Sequence, residues 1–220
     1  MPRPSAGSRT TPVKASPTAV AALREADPVM AGLVERNSAV VRRDLKRERS
    51  GDAYGTLVRS IVGQQLSTRA AATIYGRVLE LFGGHTPTPK QLLKADPDDM
   101  RAAGLSRAKV AYLRDLAQHV EDGALELERL PDLPDEEVAA QLTAIKGVGQ
   151  WTADMFLIFH LGRPDVLPVG DQGIRRAIQV GYGLRKLPDA KRMQKIAKPW
   201  RPYRTLASLY LWSSLDNAPA

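Results

Sequence analysis

The sequence contains no cysteine among its 220 residues. This absence excludes a disulfide framework, a thiolate zinc site, a cysteine nucleophile and an iron–sulfur cluster held by cysteine. Histidine is scarce as well, and His85, His119 and His160 share no spacing typical of a metal site. No uninterrupted apolar run approaches the roughly 18 residues of a membrane span. Chemistry that depends on thiolates, on clustered histidines or on a lipid environment is therefore not expected.

Positive charge exceeds negative charge in this chain. Lysine and arginine number 32 against 24 acidic residues, which gives a formal net charge of +8 and an isoelectric point near 9.9. A surplus of this size suits a polyanionic partner, most obviously a nucleic acid. A basic protein that is merely soluble has the same composition, so charge alone leaves both interpretations open. The length allows one large domain or two small ones.

The chain begins with a segment that differs in composition from the rest. Residues 1 to about 18 contain four prolines, three basic residues and no acid, and they predict a flexible basic tail. A transit peptide is the alternative, but the prolines argue against the amphipathic helix that it needs. From about residue 19 onward, apolar residues recur at helical spacing behind N-cap signals such as Ser67, Asp96 and Ser106. Strand-like alternation is scarce, so we expect an all-α fold.

The most informative segment runs from Leu142 to Asp154 and reads Leu-Thr-Ala-Ile-Lys-Gly-Val-Gly-Gln-Trp-Thr-Ala-Asp. It predicts a helix, a tight turn with two glycines, and a second helix that begins at about residue 150. The N–H groups of Gly147, Gly149 and the first helical turn would point outward together, and a DNA phosphate suits such a helix N-terminus. Lys146 adds a positive charge beside them. The alternative is an ordinary αα-hairpin whose glycines only make the turn.

About twenty residues beyond this hairpin, Asp171 follows Pro-Val-Gly and precedes a helical pattern of Ile174, Ala177 and Ile178. The plainest interpretation is an N-cap, because aspartate is a leading N-cap residue. The N–H groups and the dipole of the helix would also hold the carboxylate in its charged form. Such a carboxylate can stabilise a developing positive charge or polarise a water, and both roles occur in glycoside cleavage. The two interpretations are compatible.

Three motifs carry a family resemblance: Ile61-Val-Gly-Gln-Gln-Leu-Ser67, Gly147-Val-Gly-Gln-Trp-Thr-Ala153 and Lys198-Pro-Trp-Arg-Pro-Tyr203. Together with the Leu-Pro-Val-Gly-Asp segment that ends at Asp171, they resemble the helix-hairpin-helix DNA glycosylases over roughly residues 25–216. The closest likeness is to the alkylation-repair branch, represented by bacterial 3-methyladenine DNA glycosylase II. The resemblance implies two helical subdomains that flank a cleft. Their expected ranges are 53–163, with the helix-hairpin-helix at about 142–160, and 19–52 combined with 164–220.

The resemblance also implies a reaction. Asp171 would be the catalytic carboxylate, which stabilises an oxocarbenium-like sugar and orients or deprotonates the attacking water. In the lyase-competent branch a lysine occupies the second position after the last glycine of the hairpin. Trp151 stands at that position here and cannot form a Schiff base. The implied enzyme is therefore a monofunctional DNA glycosylase of the DNA-3-methyladenine glycosylase II type, which excises alkylated bases hydrolytically in base excision repair.

Several further residues receive roles from the same resemblance. The target base must be flipped out of the duplex, and the intercalating position would be Gln65, with Leu66 as its neighbour. Electron-rich aromatic faces attract a cationic alkylated purine, although from the residues alone both pocket tryptophans look like core residues. The base-pocket positions would be Trp151, Trp212, Met155 and Gln172. The last two are less aromatic than in relatives, which leaves the range of alkylated bases open.

The remaining expectations concern phosphates, ions and partners. The residues expected at the DNA phosphates are Lys146, Gly147, Gly149 and Thr152. No cofactor is required, but the family hairpin often holds a sodium or potassium ion through backbone carbonyls. The carbonyls implied here are those of Thr143, Ile145 and Val148. The expected partner is double-stranded DNA that contains damaged bases, with no membrane, and the expected protein is a cytoplasmic monomer.

Three other functions stay open at this point. A non-catalytic DNA-binding module would use only the hairpin, and Asp171 would then be dispensable. A glycosylase for oxidised or mismatched bases is the second, and the absence of both the lysine and a cysteine cluster weighs against it. An RNA-binding helical protein is the third, for which the basic run from Arg42 to Arg49 would serve. A solvated helix face is the commoner meaning of such a run.

Overall fold

The computed structural model describes residues 15–45 and 52–216. Within these ranges the chain forms twelve α-helices, two short 3₁₀ helices and no strand, so the predicted all-α class is confirmed. The α-helices are α1 Pro17–Ala26, α2 Pro28–Leu45, α3 Ala53–Gly63, α4 Thr68–Leu81, α5 Pro89–Lys94, α6 Pro97–Ala102, α7 Arg107–Glu121, α8 Asp135–Thr143, α9 Gln150–Phe159, α10 Gln172–Gly181, α11 Ala190–Ile196 and α12 Arg204–Asp216. The 3₁₀ helices are Leu127–Asp132 and Lys198–Trp200. None of the helices so described is long and apolar enough to cross a membrane.

Polar side chains at the N-caps explain where many helices begin. Each accepts a backbone N–H of the first turn that the helix itself leaves without a partner. The capping residues are Ser16, Asp52, Ser67, Thr88, Asp96, Ser106, Asp171 and Asp189. The caps predicted at Ser67, Asp96 and Ser106 are therefore confirmed.

Helix α1 begins inside the segment that the sequence predicts to be a flexible tail. The Ser16 hydroxyl accepts the N–H of Ala19 at 3.1 Å. Pro17 takes the first helical position, where its missing N–H costs no hydrogen bond. Residues 1–14 of the predicted tail lie outside the described residues. In the basic run from Arg42 to Arg49, only Arg42 has a described side chain, and it is exposed on α2.

The chain divides into two compact units. We call Ser50–Phe156 the hairpin unit, and Met1–Arg49 together with Leu157–Ala220 the flanking unit. The sequence predicts the second boundary after residue 163, whereas the units meet after Phe156, within α9. Because the helix continues without a break across that point, no turn or cap in the sequence marks it.

Helix α7 occupies a central place in the hairpin unit, where it packs against α3, α5 and α6. Its Leu113, Leu116 and Ala117 are completely buried. Burial of a leucine side chain contributes about 1.5–3 kcal/mol each, so this face is a major source of stability. Near the N-terminus of α7, Lys109 contacts the end of α3. Further along the helix, Tyr112 and Asp115 contact the α8–α9 turn.

The flanking unit is organised around α12, which packs against α2 and α10. The largest buried side chains of this unit include Trp200 and Tyr210. Asp27 caps α2 through the N–H of Met30 at 2.8 Å, and its second carboxylate oxygen accepts the Tyr182 hydroxyl at 2.8 Å and the Trp200 indole N–H at 3.0 Å. Burial, followed by the hydrogen bond to Asp27, raises the pKa of Tyr182 above its ordinary value. Asp27 therefore joins three segments of this unit.

Candidate functional site

The hairpin predicted from the sequence is present in the hairpin unit. Helix α8 ends at Thr143 and α9 begins at Gln150. The N–H of Val148 donates to the carbonyl of Ile145 at 3.0 Å, and both of these side chains are buried, which anchors the turn. The N–H of Ala153 donates to the carbonyl of Gly149 at 3.1 Å, so Gly149 precedes the first turn of α9. The N–H groups of residues 150–152 lie in this first turn, the part of a helix that suits an anion.

The two glycines of the turn serve different purposes. Gly147 has a φ of 78°, a conformation that favours glycine, and a Cβ atom at this position would collide with the aromatic ring of Tyr112. A Cβ atom at Gly149 would meet nothing within 4 Å. The fold thus requires glycine at 147, whereas Gly149 leaves open space beside the N-terminus of α9.

Lys146 is exposed, but its ammonium has a partner. Its Nζ lies 3.2 Å from Oδ1 of Asp115, and its backbone N–H donates to Oδ2 of the same carboxylate at 2.8 Å. Burial raises the pKa of Asp115, but the two hydrogen bonds from Lys146 and the nearby charges of Lys146 and His119 outweigh it and hold this pKa below its ordinary value. A phosphate at Lys146 would share the ammonium with Asp115, an arrangement that the sequence does not reveal.

The loop between α3 and α4 contains the predicted intercalating residues. Gln65 has a φ of 57° and is the one described residue other than glycine with positive φ. Its neighbour Leu66 is exposed to 36%. The side-chain amide of Gln64 donates to the carbonyl of Gly147 at 2.8 Å, which ties the loop to the hairpin. Lys109 of α7 donates from Nζ to the carbonyls of Val62 and Gln64, each at 2.7 Å.

A cavity of about 700 Å³ lies between this loop, the start of α7 and the hairpin. It brings together five of the residues predicted for the site: Gln65, Leu66, Gly147, Trp151 and Thr152. Trp151 is 45% exposed, so it is not the core residue that its apolar surroundings in the sequence suggest. Thr152 is buried, although it lines the cavity. Met155 is half-buried one turn beyond Trp151 on α9.

Asp171 lies in the flanking unit at the start of α10, where its predicted role as an N-cap is confirmed. Its Oδ1 accepts the N–H of Ile174 at 2.8 Å and the indole N–H of Trp212 at 2.9 Å. A Cβ atom at Gly173 would lie only 3.1 Å from Oδ1 and 3.2 Å from Trp212, so a glycine makes room for this pair. Gln172 is exposed beside Asp171. The structure thus brings two predicted site residues, Asp171 and Trp212, into direct contact.

Two residues near these sites were not found from the sequence. Phe159 stacks on Trp212 with ring centroids 5.9 Å apart and planes 25° apart, and it is 37% exposed. The uniformly apolar α9 gives no signal that singles it out. Asp154, buried in the same helix, accepts the side-chain amide of Gln150 at 2.8 Å. Burial raises the pKa of Asp154 to about 6.

The described residues contain no group of three or more His, Asp or Glu side chains that could hold a metal ion. The ion predicted at the hairpin would use backbone carbonyls instead, those of Thr143, Ile145 and Val148. The carbonyl of Ile145 already accepts the N–H of Val148 and has one further lone pair to offer. The monovalent cation at this turn stays a prediction.

Comparisons with known proteins identify the family of this chain. The family described as HhH-GPD superfamily base excision DNA repair protein matches residues 58–202. The chain is 33% identical over 202 residues to DNA-3-methyladenine glycosylase 1 of Schizosaccharomyces pombe, with 89% of each chain covered. It is 34% identical over 169 residues to YfjP of Bacillus subtilis, which covers 74% of this chain but only 59% of that protein. A solved structure of S. pombe 3-methyladenine DNA glycosylase in complex with abasic DNA matches it with a TM-score of 0.78 at 32% identity, covering 91% of this chain and 98% of that one. The chain belongs to the HhH-GPD superfamily of base excision DNA repair proteins.

Proposed function

We propose that this protein is a monofunctional DNA glycosylase that flips alkylated bases out of duplex DNA and hydrolyses their N-glycosyl bonds. The observation that carries the proposal is the carboxylate of Asp171, held at the N-terminus of α10 by the N–H groups of Ile174 and Trp212. The names of the similar proteins, which are 3-methyladenine DNA glycosylases, support the choice of substrate class.

The reaction requires few catalytic groups from the protein. An alkylated purine with a positive charge is a good leaving group, and positive charge develops on the sugar as the bond to the base breaks. A carboxylate fixed beside the sugar stabilises that charge and orients or deprotonates the water that attacks the anomeric carbon. The two donors at Oδ1 hold the Asp171 carboxylate in one orientation, so the charge needs no rearrangement during the reaction.

Water is the proposed nucleophile because Trp151 occupies the position of the lyase lysine. An indole cannot form a Schiff base with the abasic sugar. We expect borohydride to trap no covalent protein–DNA adduct during turnover, and we expect the product strand to stay uncut until it is treated with alkali. Accumulation of a trapped adduct would contradict this part of the proposal.

The DNA backbone would bind at the hairpin. The N-terminus of α9, the open space at Gly149 and the exposed Lys146 provide N–H donors and positive charge at one place. A sodium or potassium ion on the carbonyls of the turn would add charge between the hairpin and a phosphate. Replacement of potassium by tetramethylammonium at equal ionic strength should then weaken duplex binding, and unchanged binding would count against the ion.

Aromatic side chains at the predicted base-pocket positions support a cationic base as the substrate. Trp151 is exposed in the hairpin unit, and Trp212 stacks with Phe159 in the flanking unit. Such faces attract positive charge by about 0.5–2 kcal/mol. Neutral undamaged bases lack this attraction and are also poorer leaving groups, so both effects favour alkylated purines.

The decisive experiment incubates the protein with duplex DNA treated with a methylating agent and identifies the released bases by mass spectrometry. We expect methylated bases in the supernatant and intact abasic strands. Asp171→Asn serves as the control, because it should bind the same DNA and release almost nothing. Tight duplex binding by the wild-type protein without any base release would leave DNA binding alone as the function.

A further inference from the structure

Helix α7 carries three residues at a spacing of three, Lys109, Tyr112 and Asp115. Residues three apart lie on one face of a helix, one above the other. Lys109 contacts the end of α3, Tyr112 covers Gly147, and Asp115 accepts the N–H of Lys146. One face of α7 thus supports both the α3–α4 loop and the hairpin turn.

The contact at Lys109 requires the partial burial of a charged group. Its ammonium is partly buried and donates to the carbonyls of Val62 and Gln64, each at 2.7 Å. Carbonyls at the C-terminus of a helix lack an intrahelical donor and carry the negative end of the helix dipole, so they suit a cation. Two of the three N–H donors of the ammonium are therefore used to hold the backbone where α3 ends.

This contact fixes a loop that is otherwise strained and exposed. The backbone carbonyl of Gln64 is held by Lys109 while its side chain is held by the carbonyl of Gly147. The next residue, Gln65, adopts a positive φ that costs energy in any residue with a side chain. Leu66 follows, exposed at the rim of the cavity.

We propose that Lys109 is a positioning residue for base flipping, which holds the loop of residues 63–67 so that Gln65 and Leu66 enter the duplex as a rigid wedge. The inference rests on the proposed function. Rigid insertion matters because the wedge must stay in the stack while the base is outside it. Without this support the loop would have to become ordered on binding, and the entropic cost would reduce the net binding free energy. Lys109 acts through the loop and needs no contact of its own with the DNA.

The test compares two substrates that differ only in how firmly the target base is stacked. One carries 7-methylguanine paired with cytosine in a duplex, and the other carries it inside a short unpaired bubble. For Lys109→Met we expect single-turnover excision from the paired site to fall by about tenfold to a hundredfold, because the wedge no longer offsets the cost of unstacking. Excision from the bubble should stay nearly unchanged, and Lys109→Arg should restore part of the loss. Arg107→Met removes the same charge from an exposed position on the same helix and serves as the control.

Two further measurements separate this role from others. If Lys109 bound a phosphate directly, the slope of log binding constant against log salt would fall by about 1 in Lys109→Met, whereas the proposal predicts no change. Equal losses on the paired and bubble substrates would show a merely structural role and overturn the proposal.

The fluorescence of 2-aminopurine beside an abasic analogue reports insertion without catalysis. If the wild-type protein changes this fluorescence but releases no base, only the proposed function is overturned. If the wild-type protein and Lys109→Met change the fluorescence equally, the role of Lys109 is overturned.

Discussion

The indole N–H of Trp212 donates to Oδ1 of Asp171 at 2.9 Å, and the same oxygen accepts the N–H of Ile174 at 2.8 Å. The first donor comes from α12 and the second from the first turn of α10. Two elements of the flanking unit thus determine the orientation of one carboxylate. Fixed donors of this kind contribute to catalysis because they need no reorganisation when charge develops.

Replacement of Trp212 by phenylalanine tests this relationship. Trp212→Phe keeps an aromatic ring next to Phe159 but removes the indole donor. A hydrogen bond to a charged group contributes about 1.5–3 kcal/mol, so we expect the single-turnover excision rate to fall by about tenfold to a hundredfold. The matched control is Trp200→Phe, which removes the indole hydrogen bond to Asp27 in the core. The control should lower the melting temperature and leave the excision rate unaltered, and the same rate loss in both variants would argue against a specific role for Trp212.

The charge of Asp171 can be removed without loss of its capping function. Asn is as good an N-cap as Asp, so Asp171→Asn should keep α10 intact and retain DNA affinity. Excision should fall by about a hundredfold to a thousandfold or more, because the proposed mechanism requires a negative charge beside the sugar. Asp189→Asn makes the same change at the cap of α11 and should have no effect on excision. If Asp171→Asn lost binding and excision in equal measure, capping would be its main role.

The local features of this fold could be read from the sequence, since caps and turns depend on residues only a few positions apart. The limits of the hairpin helices and the caps at Ser67, Ser106 and Asp171 follow from such short patterns. The contacts that shape the site connect residues far apart along the chain. Lys109 reaches back to Val62, and Trp212 reaches back to Asp171. No periodicity encodes such contacts, so the support of the loop by α7 could not be predicted.

The exposure of the aromatic side chains could not be predicted from the sequence either. Trp200 lies among prolines and basic residues in the sequence and Phe159 lies in an apolar run, yet Trp200 is completely buried while Trp151 and Phe159 are substantially exposed. Periodicity places a residue on a face of its helix, but it does not say whether another element covers that face. The family resemblance, rather than the pattern, singled out Trp151 and Trp212.

The two glycines of the hairpin should respond differently to alanine. Gly147→Ala combines a positive φ with a collision against Tyr112, so we expect it to destabilise the protein by about 1–3 kcal/mol and to weaken duplex binding. Gly149→Ala meets no atom within 4 Å and should leave stability within about 0.5 kcal/mol of the wild type. Its methyl group would nevertheless occupy the space of the proposed phosphate contact at α9, so the DNA affinity of this variant should fall. Chemical denaturation and duplex titration of both variants separate the two effects, and unchanged affinity in Gly149→Ala would place the phosphate elsewhere.

Asp154 makes the stability of the protein depend on pH in an unusual direction. Burial raises its pKa from 3.8 to about 6, so the folded state disfavours the ionised carboxylate. The stability that its neutral form provides is fully present below about pH 4 and is lost as the pH rises through 6, a change of up to about 3 kcal/mol.

Asp154→Asn keeps an oxygen for the Gln150 amide and never ionises. Urea unfolding should therefore show the variant to be more stable than the wild type at pH 8, with the difference vanishing near pH 4. Asp132→Asn, at an exposed position of the same unit, is the control. A constant difference across this range would mean that Asp154 does not titrate in the folded protein as its burial requires.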